Sequence, residues 1–262
     1  ASYIPLARKL GYKIILDETH IENSPHLSPA KNTLRNRFCQ SAHLVVTSSD
    51  LDATRLKKVV PEIPVQVIPD TINLSRYCSA QEKPGSHLLF PADLDHPATL
   101  EGATWFKDEI LPRLRAAVGN AFPRVILAGP GRENSIRALK ELSNTAGIEI
   151  LPHPPSMLQL LEDSAVVFVP TRSESNSRMG VLEAMAAGRA IVSTGKGAEG
   201  LHLAPSFDIC IADHEDLFAT GILRFLRDPE LRRQFGLNAV QTVARAHDLS
   251  RVKPLLEKLI RS

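Results

Sequence analysis

The feature that most constrains this chain is the alternation of short apolar runs with amphipathic segments of helical period. The runs KIILD, HLVVT, RVILAG and AVVFVP are rich in Val, Ile and Leu. Continuous β-branched runs of this kind are typical of strands buried on both faces of a parallel sheet. Helices between such strands cover the two faces. The sequence therefore predicts an α/β protein built from parallel sheets.

The alternation occurs in two blocks, which predicts two domains. Residues 1–70 contain about three predicted strands, and residues 87–246 contain about six. Residues 71–86 carry turn-forming residues without periodicity, so we expect a linker there. The second block has the size of a complete Rossmann-like domain, whereas the first would be a partial one. A predicted helix at 247–262 could pack back on the first domain.

Composition restricts the compartment and the partners. The 31 Lys and Arg residues nearly balance the 29 Asp and Glu residues, so no bulk attraction to nucleic acid or anionic lipid is implied. Cys39, Cys78 and Cys210 stand far apart, without metal-binding spacing, and such sparse cysteines fit a reducing compartment. No apolar run approaches the roughly 20 residues of a membrane span. We expect a cytoplasmic protein without bound metal; peripheral association with the inner membrane face stays open.

The loops that follow the predicted strands are the candidate binding segments, because ligands of open parallel sheets bind at the carboxyl ends of the strands. These loops are DETHIE, TSSD, PADLDHP, AGPGREN, PTRSESNSR and STGKGAEG. None contains GxxxxGK[ST] or GxGxxG, so neither a P-loop nor the usual dinucleotide site is predicted.

The segment SRMGVLEAMAAG predicts a helix that begins near Arg178, Met179 and Gly180. Free N–H groups at a helix start favour an anion such as a diphosphate. Glu183, about one turn further, can accept hydrogen bonds from two vicinal hydroxyls, as ribose offers. The alternative is an ordinary first-turn glutamate that the helix dipole stabilises by roughly 0.3–1 kcal/mol. The glycine-rich turn GKGAEG after the next strand favours a ligand site, since glycines permit close backbone approach.

Residues 169–201, VPTRSESNSRMGVLEAMAAGRAIVSTGKGAEGL, resemble the donor-binding segment of the family 4 glycosyltransferases, a large retaining group with the GT-B fold. LLFPADLDHPATLEGATWFKDEILPRLR and IPDTINLSRY resemble the same family, so the likeness extends from Leu10 to about Leu201. It implies transfer of a sugar from a nucleotide-diphosphate sugar to an acceptor hydroxyl, in polysaccharide or glycoconjugate synthesis. It implies no metal and no further cofactor.

The resemblance also implies roles for individual residues. Glu183 corresponds to the glutamate that binds the donor ribose, and Arg178 to an arginine of the same loop. His20, at the end of KIILDETH, corresponds to the histidine that faces the donor sugar and phosphate, and is the implied catalytic residue. The implied donor-binding residues are Arg172, Glu174, Arg178, Met179, Gly180, Glu183, Lys196, Gly197, Ala198 and Glu199.

The chain departs from the family pattern at several positions. Gly180 stands where the nearest branch has lysine, and Ala92 where it has glycine, so we expect weaker diphosphate binding unless Arg172, Arg178 or Lys196 replaces the lost cation. Glu174 and Glu183 are separated by eight residues instead of seven. The early strands and the glycine-rich loop of the first domain are not found, so we expect upstream sequence to be missing.

Two other functions remain open on the sequence. A non-catalytic or truncated nucleotide-sugar-binding module would explain the departures. A nucleotide-sugar 2-epimerase would share the architecture but needs acid and base carboxylates at the sugar, for which only Asp17, Glu18 and Glu22 are in range. The sequence does not identify the nucleobase, the donor sugar or the acceptor.

Overall fold

The structure, a computed structural model, describes residues 14–17, 36–77, 85–144, 146–173 and 178–261. The described chain forms two compact units. The first extends to Thr71 and resumes at Val252, and the second is Ile72–Arg251.

The described strands and helices follow the predicted alternation. The strands are β1 (Ile15–Asp17), β2 (Leu44–Thr47), β3 (Val65–Val67), β4 (His87–Pro91), β5 (Arg124–Gly129), β6 (Ile148–Pro152), β7 (Ser164–Val169), β8 (Ile191–Ser193) and β9 (Cys210–Ile211). The helices are α1 (Asp50–Val59), α2 (Pro97–Trp105), α3 (Leu111–Val118), α4 (Glu133–Asn144), α5 (Met157–Glu162), α6 (Arg178–Ala186), α7 (Glu215–Arg227), α8 (Pro229–Ala246) and α9 (Leu249–Arg261). Residues 36–41 are also helical.

The first unit is a parallel sheet of the order β1-β2-β3 with helices on both faces. Successive β2 residues face opposite sides: Val45 packs with Leu56 of α1, and Val46 packs with Val252 and Leu259 of α9. Burial on both faces explains why this strand is a continuous apolar run.

The TSSD loop after β2 serves the start of α1. The Ser49 hydroxyl accepts a hydrogen bond from the Asp52 amide at 3.1 Å and bonds to the Asp52 carboxylate at 2.7 Å. The bond from the Asp52 amide is an N-cap bond, which satisfies one of the free amides at the helix start. The Ser49 side chain of this candidate binding loop is thus engaged in capping.

The second unit is a six-stranded parallel sheet of the order β6-β5-β4-β7-β8-β9. Its central strands β4 and β7 are fully buried, and aromatic side chains pack in the core of the unit. The Phe106 and Phe168 rings stack with their centroids 4.2 Å apart, and Phe90 lies 5.7 Å from Phe168. The predicted α/β class with parallel sheets is confirmed.

The helical pattern from Thr99 to Val118 contains an irregular turn. The apolar periodicity of this segment is that of a single long helix, but residues Phe106–Ile110 widen into a π-helical turn. The Leu111 amide donates to the Phe106 carbonyl, five residues back. Pro112 follows at once and has no amide hydrogen, so the helix accommodates it by widening instead of ending.

Part of the predicted linker belongs to the second unit. The Ile72 amide donates to the His247 carbonyl at 2.9 Å, and the Leu249 amide donates to the Ile72 carbonyl at 3.0 Å. Residues Leu74–Arg76 form a 3₁₀ turn whose first amide donates to Asp248 at 3.3 Å. Residues 78–84 of the predicted linker lie outside the described residues.

Two negative findings concern the described residues. None of their helices is long and apolar enough to cross a bilayer. They contain no group of three or more His, Cys, Asp or Glu side chains suited to a metal ion.

Candidate donor site

The sheet of the second unit reverses its chain order between β4 and β7. From β4 the chain proceeds outward through β5 and β6, and from β7 it proceeds outward on the other side through β8 and β9. Open parallel sheets bind ligands at such a switch point, at the carboxyl ends of the strands. Helices α2 and α6 begin at this edge, and α6 carries four of the ten predicted donor-binding residues: Arg178, Met179, Gly180 and Glu183.

Two glycines bring these helices close to the strand ends. A Cβ at Gly180 of α6 would lie 3.0 Å from the Pro91 carbonyl oxygen at the end of β4. A Cβ at Gly102 of α2 would lie 2.9 Å from the Pro170 carbonyl oxygen after β7. Helix α6, which follows β7, therefore packs against the end of β4, and α2, which follows β4, packs against the end of β7. A side chain at 180, where the resemblance implies lysine, would require Pro91 to shift by a few tenths of an ångström.

Glu183 is half-buried on α6. Among the residues that the structure describes, none donates a hydrogen bond to its carboxylate or forms an ion pair with it. Burial raises the pKa of Glu183 above its ordinary value. Since burying an unpaired charge is unfavourable, this carboxylate is retained at an energetic disadvantage, which is typical of functional sites.

Tyr77 is a neighbour of Glu183 that the sequence analysis did not single out. Burial and then the Glu183 charge raise the pKa of Tyr77 to about 12. The residue ends the 3₁₀ turn at Leu74–Arg76 and packs on the main core of the unit. No local sequence signal places it near Glu183, because the two residues are far apart in the chain.

Arg178, the first residue of α6, is nearly fully buried. Its Nε donates to the Glu199 carbonyl oxygen at 2.7 Å. This bond joins the start of α6 to the glycine-rich turn after β8. The guanidinium thus has a structural role in addition to the predicted role in donor binding.

Most backbone amides of the turn after β8 donate hydrogen bonds within the turn. Gly197 and Ala198 donate to Thr194, at 2.9 Å and 3.3 Å. The Glu199 amide donates to the Lys196 carbonyl at 3.3 Å. Gly197 also packs tightly, since a Cβ there would lie 2.5 Å from the Ser193 hydroxyl. The turn therefore offers a ligand mainly side chains.

The charged side chains of this turn form an ion pair. Lys196 Nζ lies 2.9 Å from Glu199 Oε1, and the two side chains are 36% and 25% exposed. A second predicted cation is also engaged: the Arg172 guanidinium lies over the Trp105 ring, 5.2 Å from its centroid. Trp105 was not predicted as a site residue.

The loops after β4, β5 and β6 are hydrogen-bonded to one another. The Asp95 carboxylate accepts from the Arg132 amide at 2.8 Å, and this bond lowers the pKa of Asp95. The His153 amide donates to the Gly129 carbonyl at 2.9 Å, and its ring lies 2.8 Å from the Gly131 carbonyl. These bonds hold the predicted loops PADLDHP and AGPGREN in fixed positions beside the switch point.

The remaining predicted site residues differ in how far the structure describes them. Met179 is 40% exposed at the start of α6, and Ala198 is buried. His20 and Glu174 lie outside the described residues, as do Glu18 and Glu22. Their assigned roles stay predictions.

The fold and this arrangement agree with a known family. The model of the glycosyl transferases group 1 family matches residues 85–228, more than half of the chain. The chain therefore belongs to the group 1 glycosyltransferases.

Individual proteins show the same relationship. The uncharacterized 44.6 kDa protein in the cps region of Klebsiella pneumoniae is 23% identical over 171 residues, which cover 63% of this chain and 44% of that protein. The chain thus spans less than half the length of this curated relative.

Solved structures show the fold. Anabaena HepE in complex with UDP and glucose has a TM-score of 0.80 at 13% identity, with coverage of 99% of this chain and 74% of that one. Sucrose-phosphate synthase from Thermosynechococcus elongatus has a TM-score of 0.77 at 14% identity, with coverage of 98% and 69%. The predicted GT-B fold is thereby confirmed.

Proposed function

We propose that this chain provides the donor-binding part of a retaining glycosyltransferase of family 4, which transfers a sugar from a nucleotide-diphosphate sugar to an acceptor hydroxyl. The observation that carries the proposal is the half-buried carboxylate of Glu183, which no described residue neutralises. It lies on the helix that starts at the switch point of the sheet. Two vicinal hydroxyls of a ribose would supply the hydrogen bonds that this carboxylate lacks.

The charge chemistry of the site supports the same reaction class. Departure of a nucleoside diphosphate develops negative charge on phosphate oxygens, which helix amides and cations stabilise. The start of α6 supplies amides, and Lys196 and Arg178 supply positive charge beside it. In this proposal the protein stabilises the leaving group without a metal ion.

A uridine nucleotide is the first donor to test. Anabaena HepE has been solved with UDP and with UDP-glucose, and this chain shares its fold. A role in polysaccharide synthesis is part of the proposal, and is supported by the cps-region location of the Klebsiella relative. The family model favours a transferase over the epimerase alternative.

Calorimetric titration of the chain with UDP and with uridine tests the proposal. We expect UDP to bind and Glu183→Ala to weaken binding, whereas Glu141→Gln, an exposed position on α4, should leave it unchanged. UDP binding that is equal in the wild type and Glu183→Ala would refute the assigned role of Glu183.

A non-catalytic nucleotide-sugar-binding module is the second candidate. It is favoured by the engagement of the three candidate cations, since Arg172 stacks on Trp105 and both Arg178 and Lys196 bond to Glu199. Release of UDP from UDP-glucose in the presence of acceptor sugars separates the two functions. Binding without release of UDP would support the module.

A further inference from the structure

The loop after β7 is held on one face of α2 by two consecutive residues. The Arg172 guanidinium lies over the Trp105 ring, with its central carbon 5.2 Å from the ring centroid. The Ser173 hydroxyl donates a hydrogen bond to the Glu101 carboxylate. Glu101 and Trp105 are four residues apart on α2 and therefore share one face of the helix. Two side-chain contacts thus join this face to the loop.

The face of α2 that receives the loop is itself fixed. Trp105 is nearly fully buried, and its ring meets the Phe218 ring edge-on, at a centroid distance of 5.3 Å. Gly102 lies between the two contacts and brings α2 close to the backbone of Pro170. The helix therefore presents a rigid surface, and the loop is the part that the two contacts order.

The backbone of the same loop is joined to the turn after β8. The Thr194 hydroxyl donates to the Thr171 carbonyl oxygen, and Thr171 is buried. Only four residues separate Ser173 from Arg178, where α6 begins. The loop is therefore fixed on both sides just before the chain enters the helix that carries Glu183.

We propose that Glu101 and Trp105 are positioning residues of the donor site, which hold the loop after β7, through Ser173 and Arg172, in the conformation that binds the nucleotide. This inference rests on the proposed donor site and gives Arg172 an anchoring role in place of direct contact with the phosphates. A loop without these anchors must be ordered when the nucleotide binds, and that ordering costs affinity. The cost is no larger than the free energy of the lost contacts.

A double-mutant cycle between Arg172 and Trp105 tests this by calorimetric titration with UDP. Arg172→Gln and Trp105→Leu should each weaken UDP binding about threefold to tenfold, the range of one cation–π contact. In the double variant, Arg172→Gln should cost nothing more, because its effect acts through the ring. An equal loss with and without the ring would show that Arg172 binds the phosphates directly, and would overturn the inference.

Glu101→Ala tests the second contact, and its expected effect is opposite to that of charge alone. Removal of a negative charge near an anion site would raise UDP affinity if only Coulomb attraction were involved. Loss of the anchor should instead weaken UDP binding about twofold to tenfold, as for one hydrogen bond. Glu101→Gln keeps an acceptor oxygen for Ser173 and should restore most of the affinity. A gain of affinity in Glu101→Ala would contradict the anchoring role.

The matched control is Arg115→Gln on α3, which removes another contact between an arginine and a ring, with Phe122 at 5.9 Å. Arg115 also donates to the Ala146 carbonyl oxygen just before β6, at the amino end of the strands. Because ligands bind at the opposite edge, UDP affinity should be unchanged. A comparable loss in this control would indicate a general effect of stability, which would also count against the inference.

Trp105 is the single tryptophan of the chain, so its fluorescence reports the contact even if Trp105→Leu does not fold. Arg172→Gln should change the emission of Trp105 in the free protein. Saturating UDP should leave the wild-type emission unchanged, because Arg172 stays on the ring in the complex. A change on addition of UDP as large as that caused by Arg172→Gln would show that the ligand removes Arg172 from the ring, and the inference would fail.

The outcomes separate this inference from the proposed function. UDP binding that requires Glu183 but is unchanged in Arg172→Gln and Glu101→Ala would overturn the inference alone. Absence of UDP binding in the wild type would overturn both.

Discussion

Replacement of Glu183 by glutamine separates a binding role from a structural one. The glutamine keeps the shape and one acceptor oxygen but removes the charge. Hydrogen bonds to a charged group contribute about 1.5–3 kcal/mol, so loss of the charge should weaken UDP binding roughly 10- to 100-fold. Calorimetric titration measures this directly, with Glu141→Gln as the charge-matched control.

The same variant should not lose stability. Burial raises the pKa of Glu183 above its ordinary value of 4.5, so the folded protein holds this proton more tightly than the unfolded chain. Ionisation of Glu183 therefore lowers the free energy of unfolding as the pH rises above 4.5. We expect Glu183→Gln to melt at or above the wild-type temperature at neutral pH, and the difference to vanish below pH 4.5.

Two results would refute this reasoning. UDP affinity equal in Glu183→Gln and Glu141→Gln would show that the carboxylate does not bind the nucleotide. A melting temperature of Glu183→Gln well below that of Glu141→Gln would show that the carboxylate has a structural partner.

The remaining predictions concern stability. Gly180→Lys, which introduces the lysine that the resemblance implies at this position, should lower the free energy of unfolding by about 1–3 kcal/mol, because its Cβ would lie 3.0 Å from the Pro91 carbonyl oxygen. An unchanged urea midpoint would contradict the packing argument. Gly236→Ala should be at least as destabilising in the same assay, since its Cβ would lie 2.0 Å from a backbone oxygen. His87 is buried, its Nε2 lies 3.1 Å from the Leu160 carbonyl oxygen, and burial lowers its pKa from 6.5. As the pH falls, the unfolded chain therefore takes up a proton on His87 before the folded protein does, so the free energy of unfolding should fall as the pH drops below 6.5. The melting temperature should depend less on pH in His87→Leu than in the wild type. An equal dependence on pH in the two proteins would exclude this role of His87.

The regular elements could be predicted because their signals are local. The bounds of β5 and β6 agree with the apolar runs RVILAG and IEILP. Ser49 and Asp50 are both residue types that cap helices, and the structure uses Ser49 as the cap of α1. The π-helical turn before Pro112 was not predicted, because the proline interrupts one hydrogen bond without ending the hydrophobic pattern.

The candidate site was only partly predictable. Glu183 could be selected because a strand, a helix start and a glycine-rich turn follow one another in the chain. The neighbour Tyr77 could not, since its charge interaction with Glu183 joins residues in separate segments. Likewise, nothing in the local sequence shows that Arg172 stacks on Trp105.

The sequence by itself determined the α/β class, the two blocks of strands and the helix that carries Glu183, because hydrophobic periodicity and capping act over a few residues. Only the tertiary structure decided which charges are already paired and how close position 180 lies to the end of β4. These depend on strand order, which brings Gly180 against Pro91 and the start of α6 against the turn after β8. Such contacts join segments that are far apart in the chain. Which partner a charged side chain finds therefore depends on how these segments pack together.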